Sequence, residues 1–181
     1  MLPRAAGLLL WWGLIGAANA TEQIPDRIQI DGQEAALLAE PLSSVLDDQA
    51  TWQRFVAHAQ EALGNCSANW RGYQASWRVE NAQLLLDRVV IGACDDAPPV
   101  LPIDVLFPGK RAPLAADWID GELLIALPTA TPASATAASA SASYLLLHLR
   151  HGRVLSREPL SEAMVRARRA QARAPGAATT P

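Results

Sequence analysis

The sequence predicts an α+β domain in which a mainly antiparallel β-sheet packs one amphipathic helix and a disulfide closes a central hairpin. Three observations predict it. Between the only two cysteines, Cys66 and Cys94, two runs of strand character face each other. A single stretch, Thr51 to Leu63, carries apolar residues at helical spacing. Elsewhere turn pairs such as Asp31-Gly32 and His151-Gly152 separate short apolar runs, so about six or seven strands are expected in one sheet.

The first twenty residues read as an export signal. Arg4 supplies the positive charge, Ala5 to Ala17 is apolar, and Ala18-Asn19-Ala20 has the small-x-small form of a cleavage site, with Thr21 as the first mature residue. The apolar run is shorter than the roughly 20 residues a bilayer span needs. No cysteine follows the cut, so a lipid anchor is not indicated and no integral membrane segment is expected after cleavage. The mature chain is expected to be periplasmic or secreted, where an isolated cysteine pair is normally a disulfide.

After the leader, Arg27 to Ile30 and Gln33 to Leu38 flank Asp31-Gly32 and predict a small hairpin. Asp47-Asp48 then precedes the helix, where Trp52, Phe55, Val56, Ala59 and Leu63 recur at three- and four-residue steps and Gly64 can end it. His58 falls off that stripe and reads as a solvated residue. Tyr73, Ala75, Trp77 and Val79 alternate with Gln74, Ser76 and Arg78, and Leu84 to Ile91 follows across an Asn81-Ala82 turn. That turn pairs Val79 with Leu84 and Trp77 with Leu86, and brings Cys94 opposite Asn69, three residues from Cys66. A Cys66–Cys94 bridge would close the open end and stabilise by roughly 3 kcal/mol in the chain-entropy model.

Ala97 to Pro113 carries five prolines and is expected to be an extended connector that lays Val100, Leu101, Ile103, Val105, Leu106 and Phe107 on the core. Asp120-Gly121 turns into a strand from Leu123 to Leu127. Pro128 to Ser143 contains only Pro, Thr, Ala and Ser, a composition with nothing to bury, and reads as an excursion within the domain. Tyr144 to Leu149 and Arg153 to Ser156 form a last hairpin. The domain therefore spans residues 21–158. From Leu160 the chain reads as a helix with Arg166, Arg169 and Arg173 on one face and mostly alanine opposite, too little apolar surface for firm docking.

Charge divides the same way. Residues 21–158 hold 10 Lys+Arg and 17 Asp+Glu, while residues 159–181 hold four Arg and one Glu. An acidic body argues against nucleic acid as a partner, because phosphate binding needs concentrated positive charge. The basic tail suits an acidic partner or anionic lipid, or simply solvation.

Catalytic patterns are absent from the sequence: it holds no GxSxG, HExxH, Walker or dinucleotide motif, and its cysteines are not spaced as CxxC. His148 and His151 are three apart, which on a strand puts them on opposite faces, and Asp95-Asp96 and the Asp117/Asp120 pair read as turn acids. No catalytic residue, metal or cofactor is expected. The candidate binding surface is Trp70, Arg71, Tyr73 and Arg78 on the hairpin with Asp117 and Trp118 nearby, aromatic and guanidinium groups being good anchors for a protein or sugar. Four mature tryptophans in a small domain are mostly core, and Trp52 is expected to meet Trp77 there.

Three motifs, WRGYQASWRVENAQLLL (Trp70 to Leu86), LFPGK (Leu106 to Lys110) and ADWIDGELLI (Ala116 to Ile125), resemble those of a family of small bacterial proteins, some exported. The resemblance covers most of residues 24–158 and implies a shared β-rich domain without implying an activity. In that family a Tyr/His/Gly-rich segment stands where this chain has Pro128 to Ser143. The expected role is a non-enzymatic exported protein that binds another protein, as an envelope accessory or a toxin neutraliser. The rival class is an envelope hydrolase or sugar-binding module using Trp70, Arg71 and Asp117.

Overall fold

The computed structural model describes residues 23–59, 68–128 and 143–173. The export signal, Cys66, the last turn of the expected helix with Gly64, most of the Ala/Ser/Thr/Pro stretch and residues 174–181 lie outside them.

The first hairpin pairs β1 (Asp26–Ile30) with β2 (Gln33–Leu37). Both turn residues take positive φ, Asp31 at 51° and Gly32 at 78°, the conformation that matches the twist of tightly connected strands. Two short helices follow, α1 (Ser43–Leu46) and α2 (Gln49–Ala59). Asp48 caps α2: one of its oxygens accepts from the Thr51 backbone N–H at 2.8 Å and the Thr51 hydroxyl at 2.9 Å. These bonds hold the Asp48 carboxyl below its usual pKa.

The central hairpin, β3 (Tyr73–Glu80) and β4 (Gln83–Ile91), has the expected register at its turn, with Val79 opposite Leu84 and Trp77 opposite Leu86. Between Ser76 and Trp77 a bulge shifts it by one, so that Tyr73 meets Ile91. The proline-rich connector is less uniform than expected. It holds β5 (Val100–Leu101), α3 (Ile103–Leu106) and β6 (Leu114–Ala115). Leu101, Ile103 and Leu106 are buried, but Val100 faces solvent. The remaining strands are β7 (Gly121–Ala126), β8 (Tyr144–Arg150) and β9 (Arg153–Leu160), followed by α4 (Glu162–Arg173).

Among the described residues these strands form one nine-stranded sheet, and seven of them close on themselves in the order β3-β1-β2-β7-β8-β9-β4, with β4 returning to β3. The sheet is mainly antiparallel, as expected, but it closes into a barrel, takes in one parallel pair and carries several short helices rather than one. One pair, β1 with β3, is parallel, with Ile28 beside Trp77. The reason is connectivity: a parallel neighbour needs a crossover of a dozen or more residues, and β2, α1 and α2 supply it.

Closure is completed where β9 meets β4. Gln83 pairs with Arg153, Leu84 N–H donates to Gly152 O at 2.8 Å, and Val154 N–H donates to Ala82 O at 2.9 Å. Gly152 is buried at this seam with φ +69°, and a Cβ there would lie 2.6 Å from Ala116 O, so no other residue fits without displacing backbone.

The core is one cluster inside the barrel, with Ile28, Leu37, Trp77, Leu84, Leu86, Val89, Ile125 and Leu147 almost wholly buried. Helix α2 adds Phe55, whose ring meets Tyr73 edge-on at 6.1 Å. Trp77 does not meet Trp52, as composition suggested; its aromatic neighbour is Trp118 at 6.3 Å. Trp52 instead leans on Phe55 at 5.5 Å and stays exposed. Helix α4 is docked after all. Val165, outside the alanine face, is buried against Leu146 and Leu160, and Arg168 reaches Glu158 at 3.0 Å. No helix among the described residues is long and apolar enough to cross a membrane.

Candidate functional site

The segment entering β3 turns sharply. Gly72 N–H donates to Asn69 O at 3.0 Å with Gly72 at φ +78°, and Asn69 Nδ2 donates to Gly92 O at 2.7 Å. This turn sends neighbouring side chains opposite ways. Trp70 is 72% exposed, while Arg71 is buried.

Beneath the turn, Arg71 meets Asp26 at 3.3 Å, a contact in which the arginine side chain is 5% exposed and the aspartate 0%. The same guanidinium donates to Ile24 O at 2.8 Å and lies 5.0 Å over the Tyr73 ring. Asp26 also accepts from Ala75 N–H and from Trp77 Nε1–H, each at 3.0 Å. Burial outweighs these bonds and pushes the Asp26 carboxyl above its usual pKa. Burial likewise raises the Tyr73 phenol. Arg71 Nε stands 3.7 Å from Glu40, beyond hydrogen-bond length, and this buried donor has no hydrogen-bond partner among the described residues.

Above this pair opens a cleft of about 390 Å³, lined by Glu40, Ser43, Leu46, Asp47, Trp52, Trp70, Arg71 and Tyr73. Arg71 and Tyr73, both buried, form its floor, and the exposed Trp52, Trp70, Glu40 and Asp47 form its walls. Trp52 is carried by α2 and Trp70 by the 69–72 turn, whose Trp70 N–H donates to Gln23 Oε1 at 3.0 Å. Two larger grooves, of about 560 and 470 Å³, have no aromatic ring in their lining.

Of the six residues expected on a binding surface, Trp70, Arg71 and Tyr73 come together in this cleft, the last two as its buried floor. The others do not join them. Arg78 is half-buried and pairs with Glu80 at 3.3 Å and Asp87 at 3.5 Å. Asp117 is exposed near Gln83 Nε2, at 3.4 Å. Trp118 packs on Phe107 at 4.6 Å and donates to Pro41 O at 3.1 Å. Sequence reasoning missed Glu40, Asp47, Trp52 and the Asp26 partner of Arg71. Only Asp26 carried a signal: it shares inward strand parity with Ile28 and Ile30.

The histidines fall as their spacing suggested. His151 sits in the β8–β9 turn at φ 47°. His148 stands on the barrel exterior 3.4 Å from Glu122 and 3.7 Å from Glu158. No group of three or more His, Cys, Asp or Glu side chains placed to hold a metal occurs among the described residues. No cysteine among the described residues is free, and Cys66, the expected partner of Cys94, lies outside them. Comparison with protein-family models, curated proteins and solved structures finds no match for the chain.

Proposed function

We propose that this chain is an exported, non-enzymatic binding protein that holds a partner protein at the Trp52/Trp70 cleft, as an envelope accessory or a neutraliser of a toxin. One observation carries the reading. Two tryptophans from separate segments are left exposed around one concavity, with relative exposures of 44% and 72%, although the same domain buries Trp77 completely. Leaving two such rings in water forgoes several kcal/mol of burial on the order given by area, and exposed tryptophans beside a rigid floor are typical anchors of protein interfaces. The Arg71–Asp26 pair beneath them makes that floor rigid by tying the 69–72 turn to β1. The leader sequence supports export, and in an oxidising compartment a Cys66–Cys94 bridge would hold the segment before Trp70 to the end of β4.

A sugar is the second reading, because aromatic walls beside the Glu40 and Asp47 carboxylates and the Ser43 hydroxyl are also suited to a hydroxyl-rich ring. Retention from a bacterial envelope extract on the immobilised, oxidised protein separates the two. A specific protein held by the wild type and by Leu155→Ala, an exposed site outside the cleft, and reduced about tenfold or more by Trp70→Ala supports the protein-binding reading. Retention or cleavage of cell-wall fragments with no protein held through Trp70 replaces it with the sugar-directed one.

A further inference from the structure

The cleft also has a charge, and its charge names a ligand chemistry. Its two wall carboxylates, Glu40 and Asp47, face a single cation, Arg71. That cation is already committed, since Asp26 and the Ile24 carbonyl hold it from beneath. An anion entering the cleft would meet the two wall carboxylates before the covered guanidinium. A cation would meet two carboxylates and two indole rings, and indole is the best aromatic partner for a cation. The floor adds a second requirement. Arg71 Nε–H, in a side chain 5% exposed, has no hydrogen-bond partner among the described residues, and an unpaired buried donor is costly until an acceptor reaches it. A bare ammonium compound brings no acceptor; a peptide residue brings its carbonyl.

We infer that the cleft binds a basic side chain, arginine or lysine, presented by a peptide segment of the partner protein. The cation lies between Trp52 and Trp70 and opposite Glu40 and Asp47, and a carbonyl of the same segment is directed at Arg71 Nε. This rests on the cleft being the binding site proposed above, and adds what enters it.

The test is a titration of the oxidised protein, followed by NMR through its indole N–H signals, with the blocked tripeptides Ac-Ala-Arg-Ala-NH2, Ac-Ala-Lys-Ala-NH2 and Ac-Ala-Glu-Ala-NH2 and with chitotriose. Trp77 and Trp118, whose indoles donate to Asp26 and Pro41, serve as internal references. The expected result is a saturable shift of the Trp52 and Trp70 signals alone by the basic peptides, about tenfold weaker or more with the acidic one. The affinity should drop about three- to tenfold in Asp47→Asn, and fall further as salt is raised. Asp47 is exposed, so this variant keeps the fold, and Glu40→Gln provides an independent second variant. A response to the acidic peptide or to chitotriose that equals the basic ones, no response of either indole, or unchanged affinity in both variants overturns the inference. A partner protein lost with Trp70→Ala alongside indifference to the basic peptides overturns the charge assignment only and leaves the cleft as the binding site.

Discussion

The barrel carries two clusters of charged side chains under opposite conditions. In one, Asp26 and Arg71 are buried with side-chain exposures of 0% and 5%. In the other, Glu122, His148, Glu158 and Arg168 lie on the outer face of β7, β8 and β9 and on α4, with exposures between 36% and 52%. The outer cluster has more members and a pair as short as 3.0 Å; the inner one is a single contact at 3.3 Å. Number and distance nevertheless mislead about consequence. Water screens the outer charges and can replace any partner that is lost, whereas nothing replaces Arg71 beneath the cleft. The inner pair also sits where the chain must be shaped, tying the start of β1 to the turn that presents Trp70.

The largest effect expected from breaking this contrast is in Arg71→Ala, which strands the Asp26 carboxylate. Chemical denaturation should show a loss of about 3–5 kcal/mol, and a loss under 1 kcal/mol would show that water reaches Asp26 freely. A smaller effect, with a definite sign, is expected from pH. The folded-state pKa of Asp26 is raised above its ordinary value of 3.8, so the folded protein binds this proton more tightly than the unfolded chain does. The stability Asp26 contributes is therefore fully present below the unfolded pKa and is lost as pH rises through the folded one. Asp26→Asn removes that component, so the deficit of the variant should be widest below about pH 4 and narrow toward neutrality. A deficit that widens with pH would mean that pairing with Arg71 outweighs burial. The smallest effect is expected in the outer cluster. Arg168→Ala should cost less than about 1 kcal/mol, and the difference from wild type should vanish in high salt. A larger loss would mark α4 as held chiefly by charge rather than by Val165.

Both clusters bear on what could be read from the chain. The three hairpin turns were legible, because Asp31-Gly32, Asn81-Ala82 and His151-Gly152 all take positive φ at both positions, a local requirement that local residues announce. The register at the central turn was legible for the same reason, until the bulge at Ser76/Trp77 answered to packing at a distance. The fates of Trp70 and Arg71 were not legible. The sequence reading put both on one surface, but the tight 69–72 turn sends them opposite ways, and Asp26, which pairs with the buried Arg71, is 45 residues away in the sequence. Val165 was overlooked in α4 because a single buried residue makes no periodic pattern, and Trp52 was taken for core because it lies on the apolar stripe of a helix whose next turn does reach the interior.

Near neighbours alone carried the hairpin turns, the acidic start of α2 with Phe55 and Ala59 turned inward, the division of charge between body and tail, and the α+β class. Tertiary structure decided the rest. It closed the sheet through a parallel β1–β3 pair and the Gly152 seam, and it placed two tryptophans around one cleft over a buried ion pair. The physical reason is that hydrogen bonding and conformational preference act within a few residues, whereas burial depends on which distant segments arrive to exclude water, and no local pattern records that.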